Sequence, residues 1–233
     1  KFDAKLHESK LVLGDSLHQD IESSDATKLN HQLAEASLTV IQNKNQILPI
    51  QQLENTNIAY VKIGEATGDY FLDRMSHYAS IDEVSLTEIL VNHKDYTHII
   101  VGLHQPDHSP FVKHKLNQEV IEKLEELCAQ TKVNLVTFAN PYSLSKLPLD
   151  ACESVVLAYQ NGSIFQSKAA QLVFGGLGAN GKLPVPIGSY AQGSGLDIKP
   201  LERLSYGHPH QVRMDEKVLQ NIDEMANQAI KDS

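Results

Sequence analysis

The chain has 233 residues and a mass of 25.8 kDa, and 20 Lys and Arg against 29 Asp and Glu leave a net charge of −9. Without an excess of cations to displace counterions from phosphates, a nucleic-acid or anionic-membrane surface is excluded as the protein's main business. With 41% hydrophobic and 21% charged residues the chain is globular in composition and long enough to bury a core without staples, and its apolar runs stop short of the ~18 residues that cross a bilayer.

Residues 1–24 are polar and aperiodic. From Asp25, read as an N-cap, Leu29, Leu33, Ala36, Ser37, Val40 and Ile41 recur at spacings of three and four, which predicts one buried helix face. Asn43-Lys44-Asn45-Gln46 breaks that pattern. Residues 57–63 read as a strand, 64–68 as a turn, 70–77 as helix or loop, and 81–86 as a further strand. The run Thr97-His98-Ile99-Ile100-Val101-Gly102-Leu103 is β-branched and apolar, the pattern of a strand covered on both faces, and a loop over 105–110 follows it. Leu116, Val120, Leu124 and Leu127 predict a helix whose other face carries Glu119, Glu122, Lys123, Glu125 and Glu126. Covered strands are expected at 133–138 and 154–159, with a helix over 164–174. Strand and helix alternating in this way predict an α/β fold with a mostly parallel sheet.

From Gly175 the composition turns to Gly and Pro, the mark of an extended strap. Asp215 then caps an expected helix with Val218, Leu219, Ile222, Ala226 and Ala229 on one face, a stripe with no evident partner in the strap.

Several motifs carry possible chemistry. Gly176-Leu177-Gly178-Ala179-Asn180-Gly181 matches the dinucleotide fingerprint, but it follows a helix where the fingerprint follows a strand, and Pro184 and Pro186 bar a normal helix after it. It reads as a glycine-rich helix exit. Ser143-Leu144-Ser145-Lys146 matches S-x-x-K, yet Pro141 and Pro148 crowd the helix that motif needs. Asn161-Gly162-Ser163 fits an N-glycosylation pattern and serves equally as a strand-to-helix turn with Ser163 as N-cap. Cys128 and Cys152 form no framework and read as small apolar core groups. His104, Asp107, His108 and His114 lie just past a covered strand, where α/β proteins place ligands. Pro106 and Pro110 break any helical metal spacing, so His104, Asp107 and His108 are read as a ligand-lining loop and no metal is assigned.

The segments in order are similar to a known family. Ala36-Ser37-Leu38-Thr39-Val40-Ile41-Gln42-Asn43 followed by Ile47-Leu48-Pro49-Ile50 resembles the approach to the second domain of glycoside hydrolase family 3. Val136-Thr137-Phe138-Ala139-Asn140-Pro141-Tyr142 resembles its strand and turn, and Gly181-Lys182-Leu183-Pro184-Val185 its segment before a glycine-rich exit. The resemblance implies a three-layer α/β sandwich, flavodoxin-like in appearance, with a central mainly parallel sheet. It also implies that the catalytic aspartate sits on a preceding (β/α)8 barrel, so no catalytic residue and no cofactor is carried over.

Residues 1–28 then read as a connector from such a barrel, 29–200 as the second domain, and 201–233 as a linker and first helix. Leu204-Ser205-Tyr206-Gly207, Val212, Met214-Asp215, Leu219 and Ile222-Asp223 resemble the approach to a serine-β-lactamase-like domain. The partners implied are those two domains of a parent chain, with carbohydrate reached through the barrel. The parent activity implied is that of a β-N-acetylglucosaminidase or β-glucosidase, exported to the periplasm or secreted. The alternative from another class is a free-standing flavodoxin-like nucleotide- or flavin-binding module, for which Gly64-Glu65-Ala66-Thr67-Gly68 is the one candidate phosphate loop.

Overall fold

A computed structural model describes residues 23–106, 116–207, 209–212, 214 and 216–232. The chain divides into two compact units, Leu33–Tyr206 and a second drawn from Lys1–Gln32 and Gly207–Ser233.

Six strands form one sheet: β1 (Thr39–Asn43), β2 (Ile58–Ile63), β3 (Ile81–Glu83), β4 (His98–His104), β5 (Val133–Phe138) and β6 (Ser154–Leu157). Their order is β1-β6-β5-β4-β2-β3, parallel throughout except that β1 runs antiparallel along β6. Counted from β2, the five parallel strands have the 2-1-3-4-5 order of flavodoxin-like sheets. The sandwich expected from the sequence is the one observed.

Among the described residues the α-helices are α1 (Ser24–Ser37), α2 (Asp69–Ser76), α3 (Leu86–Asn92), α4 (Gln118–Gln130), α5 (Ser163–Val173) and α6 (Glu216–Lys231). On one face of the sheet Ala59, Val61, Val101, Leu103 and Leu135 pack with Ile89 of α3 and with Leu124 and Leu127 of α4. On the other, Ile58, Tyr60, Ile100, Val136 and Phe138 pack with Phe71 and Met75 of α2 and with Ala169, Leu172 and Val173 of α5. Because successive strand residues point to opposite faces and both faces are roofed, the inner strands are mostly apolar, and their few polar side chains are hydrogen-bonded inside, Ser154 Oγ donating to Asn134 Oδ1 at 2.8 Å and Thr137 Oγ1 to Val156 O at 3.2 Å. The roofing is why 133–138 and 154–157 are wholly buried.

Four expectations are corrected. The face predicted from Leu29 to Ile41 does not exist as one helix. Helix α1 stops at Ser37, Val40 and Ile41 belong to β1, and Leu29, Leu33 and Ala36 are exposed while Ala34 is buried. Ser23 rather than Asp25 caps α1, its Oγ accepting from the Ala26 amide at 3.2 Å. The strand predicted over 81–86 ends at Glu83, because Ser85 and Glu88 close a capping box that starts α3. At α5 the N-cap is Gly162 and not Ser163. Asp215 lies outside the described residues. Helix α6 leaves Val218, Ile222, Met225 and Ile230 exposed.

The strap after α5 is tied down residue by residue. Ala179 and Ile198 exchange both backbone bonds, Leu196 donates to Val40 O at 2.7 Å, and Arg203 Nη1 donates to Ile50 O and Phe174 O at 2.6 and 2.7 Å. Arg74 lies over the Tyr206 ring at 4.4 Å, and Tyr78 Oη donates to Leu204 O at 2.8 Å. Lys168, almost wholly buried, pairs with Glu35 at 2.9 Å and so joins α5 to α1.

At Gly181 the strap passes so close to the end of α1 that a Cβ would stand 2.4 Å from Leu38 O and 2.7 Å from Ser37 O. Backbone on both sides cannot give way cheaply, so Gly181→Ala is expected to destabilise the fold by about 2 kcal/mol or more, read by urea denaturation. A change under ~0.5 kcal/mol, the range of neutral surface substitutions, would show that the strap is looser than this contact implies.

Candidate functional site at the switch point of the sheet

In a sheet ordered 2-1-3-4-5 the chain reverses direction between the first and third strands, and ligands bind outside the carboxyl ends there. In this protein that point lies between β2 and β4, where the segment after Ile63 meets His104, the last residue of β4.

His104 is fully buried. Its Nδ1 is 2.7 Å from Asn161 Oδ1 and its Nε2 is 2.8 Å from Tyr60 Oη. Asn161 Nδ2 donates to Thr67 O at 3.0 Å, which leaves Oδ1 as the acceptor for His104 Nδ1–H. Nε2 is then the bare nitrogen and accepts the Tyr60 hydroxyl proton. The imidazole stacks on Phe138 with centroids 4.5 Å apart and meets Tyr60 edge-on at 6.3 Å. Gln166 completes the set: its Oε1 accepts from the Phe71 amide, and its Nε2 donates to Asn161 O and Thr67 O.

The site thus takes one side chain each from β2, β4, the β6–α5 turn and α5. Burial pushes the His104 imidazole down to about 4 against the opposing pull of the Asn161 hydrogen bond, with Lys62 adding a smaller depression. Burial also raises the Tyr60 hydroxyl well above its ordinary 10. Both groups are neutral near pH 7, and the chain Tyr60–His104–Asn161–Thr67 is a run of neutral hydrogen bonds.

The segment after β2 is committed to the protein itself. The Ala66 amide donates to His104 O at 3.1 Å, and the Lys62 ammonium meets Gly64 O and Ala66 O at 3.2 and 3.0 Å. An anion-binding loop presents amide N–H groups outward, whereas here carbonyl oxygens of the loop point at the Lys62 ammonium of β2. At Gly68 a Cβ would stand 2.2 Å from Tyr60 Oη and 2.9 Å from His104 Nε2, so those two side chains fill the space beside this turn. This arrangement speaks against the flavin or nucleotide reading.

Of the residues that the sequence nominated, His104 is an internal anchor with no surface of its own, while Asp107, His108 and His114 lie outside the described residues. Gln105, also buried, donates its amide to Phe138 O at 3.2 Å, which holds the start of the following loop on β5. Sequence reading missed Tyr60, Asn161 and Gln166. Locally Asn161 reads only as part of a glycosylation pattern or a strand-to-helix turn, and nothing marks Tyr60 as other than an aromatic strand residue. Among the described residues no three His, Cys, Asp or Glu side chains gather into a metal set, and no helix is long and apolar enough to cross a membrane. At the S-x-x-K motif Ser143 Oγ donates to Asn140 O at 2.6 Å in a 3-10 turn, an ordinary local capping bond.

No family model and no curated protein matches the sequence. Solved structures do match in fold. A β-glucoside phosphorylase BglX bound to 2FGlc has a TM-score of 0.60 at 15% identity over 77% of this chain and 34% of its own. A glycoside hydrolase family 3 β-N-acetylglucosaminidase from Paenibacillus sp. str. FPU-7 has a TM-score of 0.55 at 16% identity over 78% of this chain and 35% of its own. A fungal multi-domain family 3 β-N-acetylglucosaminidase, with a GCN5-related glucosamine N-acetyltransferase region, matches at 0.57 and 15% over 82% and 22%. The chain therefore shares an α/β fold with part of these carbohydrate-active enzymes, and spans about a third or less of their length.

Two predictions follow from the geometry. The unfolded imidazole takes a proton near pH 6.5, whereas the folded one refuses it until about 4, so its contribution is whole above pH 6.5 and is lost as pH falls through that window. Between pH 7 and pH 4 the stability of the wild type is expected to fall by about 3 kcal/mol more than that of His104→Asn, measured by urea denaturation. Parallel profiles would refute the assignment of a buried neutral imidazole. With the crevice filled, FMN, NAD and ATP are each expected to leave Tm unchanged, and a saturable upward shift with any of them would restore the nucleotide reading.

Proposed function

We propose that this chain is the second, non-barrel domain of a family 3 glycosidase, β-N-acetylglucosaminidase-like or β-glucosidase-like, and that it buttresses the catalytic barrel without supplying the catalytic pair. The observation that carries the reading is the fold agreement with a family 3 β-N-acetylglucosaminidase over 78% of this chain and only 35% of that enzyme. Hydrolysis through a covalent glycosyl intermediate needs two catalytic carboxyl groups about 5 Å apart. In the proposed division of labour the barrel supplies the nucleophile and reaches the carbohydrate.

Within that reading, residues 1–28 connect to the barrel, 29–200 form the domain, and 201–233 lead to a serine-β-lactamase-like domain. The apolar stripe of α6, with Val218, Ile222 and Met225 exposed, supports a packing role toward that neighbour. The loop carrying Asp107 and His108 is the part proposed to line the sugar site. His104 acts from beneath as a positioning residue, because its ring cannot touch a ligand while both nitrogens are engaged inside. The parent enzyme is proposed to act in the periplasm or outside the cell.

The test is enzymatic. The purified chain is expected to leave an aryl β-N-acetylglucosaminide and an aryl β-glucoside unhydrolysed beyond the buffer rate. Turnover that follows the protein through repurification would overturn the non-catalytic assignment.

A further inference from the structure

The two cysteines, far apart in sequence and outside the switch-point site, meet. Cys128 sits in the last turn of α4, and Cys152 follows the 3-10 turn Leu149–Ala151 that leads into β6. Their sulfurs are 3.4 Å apart, in van der Waals contact and unbonded. Cys152 is fully buried, while Cys128 is only partly buried. The backbone around Cys152 is fixed on its own account, since its amide donates to Leu149 O at 3.2 Å and Gln42 Nε2 donates to Leu149 O at 3.0 Å. Reaching the disulfide length of ~2.05 Å asks the two sulfurs to close by about 1.3 Å, within the reach of small side-chain rotations.

We propose that Cys128 and Cys152 are a dithiol switch that closes to an internal disulfide by exchange with a small disulfide of the glutathione class. The asymmetry of the pair sets the order of events. Cys128 is the accessible member, and its thiol is pulled below the usual range by the S–H of Cys152 directed at it, with Lys44 adding to the effect. Cys152 is held as the thiol by that same hydrogen bond and by burial.

The Cys128 thiolate attacks one sulfur of the small disulfide, a mixed disulfide forms, and one small thiolate leaves. That thiolate takes the Cys152 proton, the Cys152 sulfur attacks the Cys128 sulfur, and the second small thiolate leaves and is protonated from water. Two protein thiols are oxidised and one small disulfide is reduced to two thiols. The closed bond ties the end of α4 to the chain entering β6, next to the strand whose far end leads to Asn161.

The test uses the whole chain, reduced and then incubated with oxidised glutathione under native conditions. The expected product is lighter by two hydrogens, carries no glutathione and shows no thiol after denaturation. Its Tm is expected to rise by about 5 °C, returning to the starting value with dithiothreitol. Cys152→Ser is expected to stop at a stable glutathione adduct on Cys128, and Cys128→Ser to stay unmodified while folded. The proposal is overturned if the wild type keeps both thiols, or if it stops at a mixed disulfide as Cys152→Ser does. It is overturned equally if the internal bond forms only after denaturation.

Discussion

A neutral imidazole sealed between a tyrosine hydroxyl and an asparagine carbonyl organises the carboxyl ends of this sheet. His104 has no contact with water, so each of its nitrogens must find a partner in the protein or the ring could not be buried at that depth. Tyr60 meets that demand from β2 and Asn161 from the turn after β6, and Thr67 and Gln166 meet the demands that Asn161 creates in turn. Removing any one member leaves another buried polar group unpaired, which costs more than the net worth of a single hydrogen bond. The turns after β2 and β6 and the start of α2 are therefore held in one arrangement by a single connected set.

That arrangement decides what the switch point can do. Sheets with this strand order offer a crevice between the diverging chains, and many proteins fill it with a phosphate or a flavin. In this chain the crevice holds its own tyrosine, histidine and backbone, and the Lys62 ammonium is engaged by carbonyl oxygens of the loop that would otherwise receive an anion. The same layer architecture thus supports a structural use. Gln105, its backbone amide held by Phe138 O, fixes the chain leaving β4 against β5 at the rim of that crevice.

Much of the fold was legible because the physics behind it is local and repetitive. The strands at 98–104, 133–138 and 154–157 announce themselves as continuous apolar runs, since a strand roofed on both faces has no polar side to show. Helix α4 fell close to its expected place for the complementary reason, a stripe of apolar residues recurring with the helical period. Helix α3 was missed although Ser85-Leu86-Thr87-Glu88 spells a capping box, because three apolar residues nearby looked like strand. The opposite error arose at 29–41, where a period of three and four ran on by chance from α1 into β1. Periodicity cannot tell where one element ends when the next happens to continue the count.

What the sequence determined by itself was the layering: which segments must be covered, hence an α/β sandwich, and where the chain turns from alternation to strap. It also pointed to the carboxyl end of β4 and named His104. The tertiary structure alone decided what His104 does, because its partners stand 44 and 57 residues away in the chain and carry no local mark of their role. The same holds for Cys128 and Cys152, whose contact bridges 24 residues and exists only because α4 and the turn before β6 pack together. Burial patterns are written in neighbouring residues, whereas the pairing of buried polar groups is settled by which distant side chains the packed layers bring within reach.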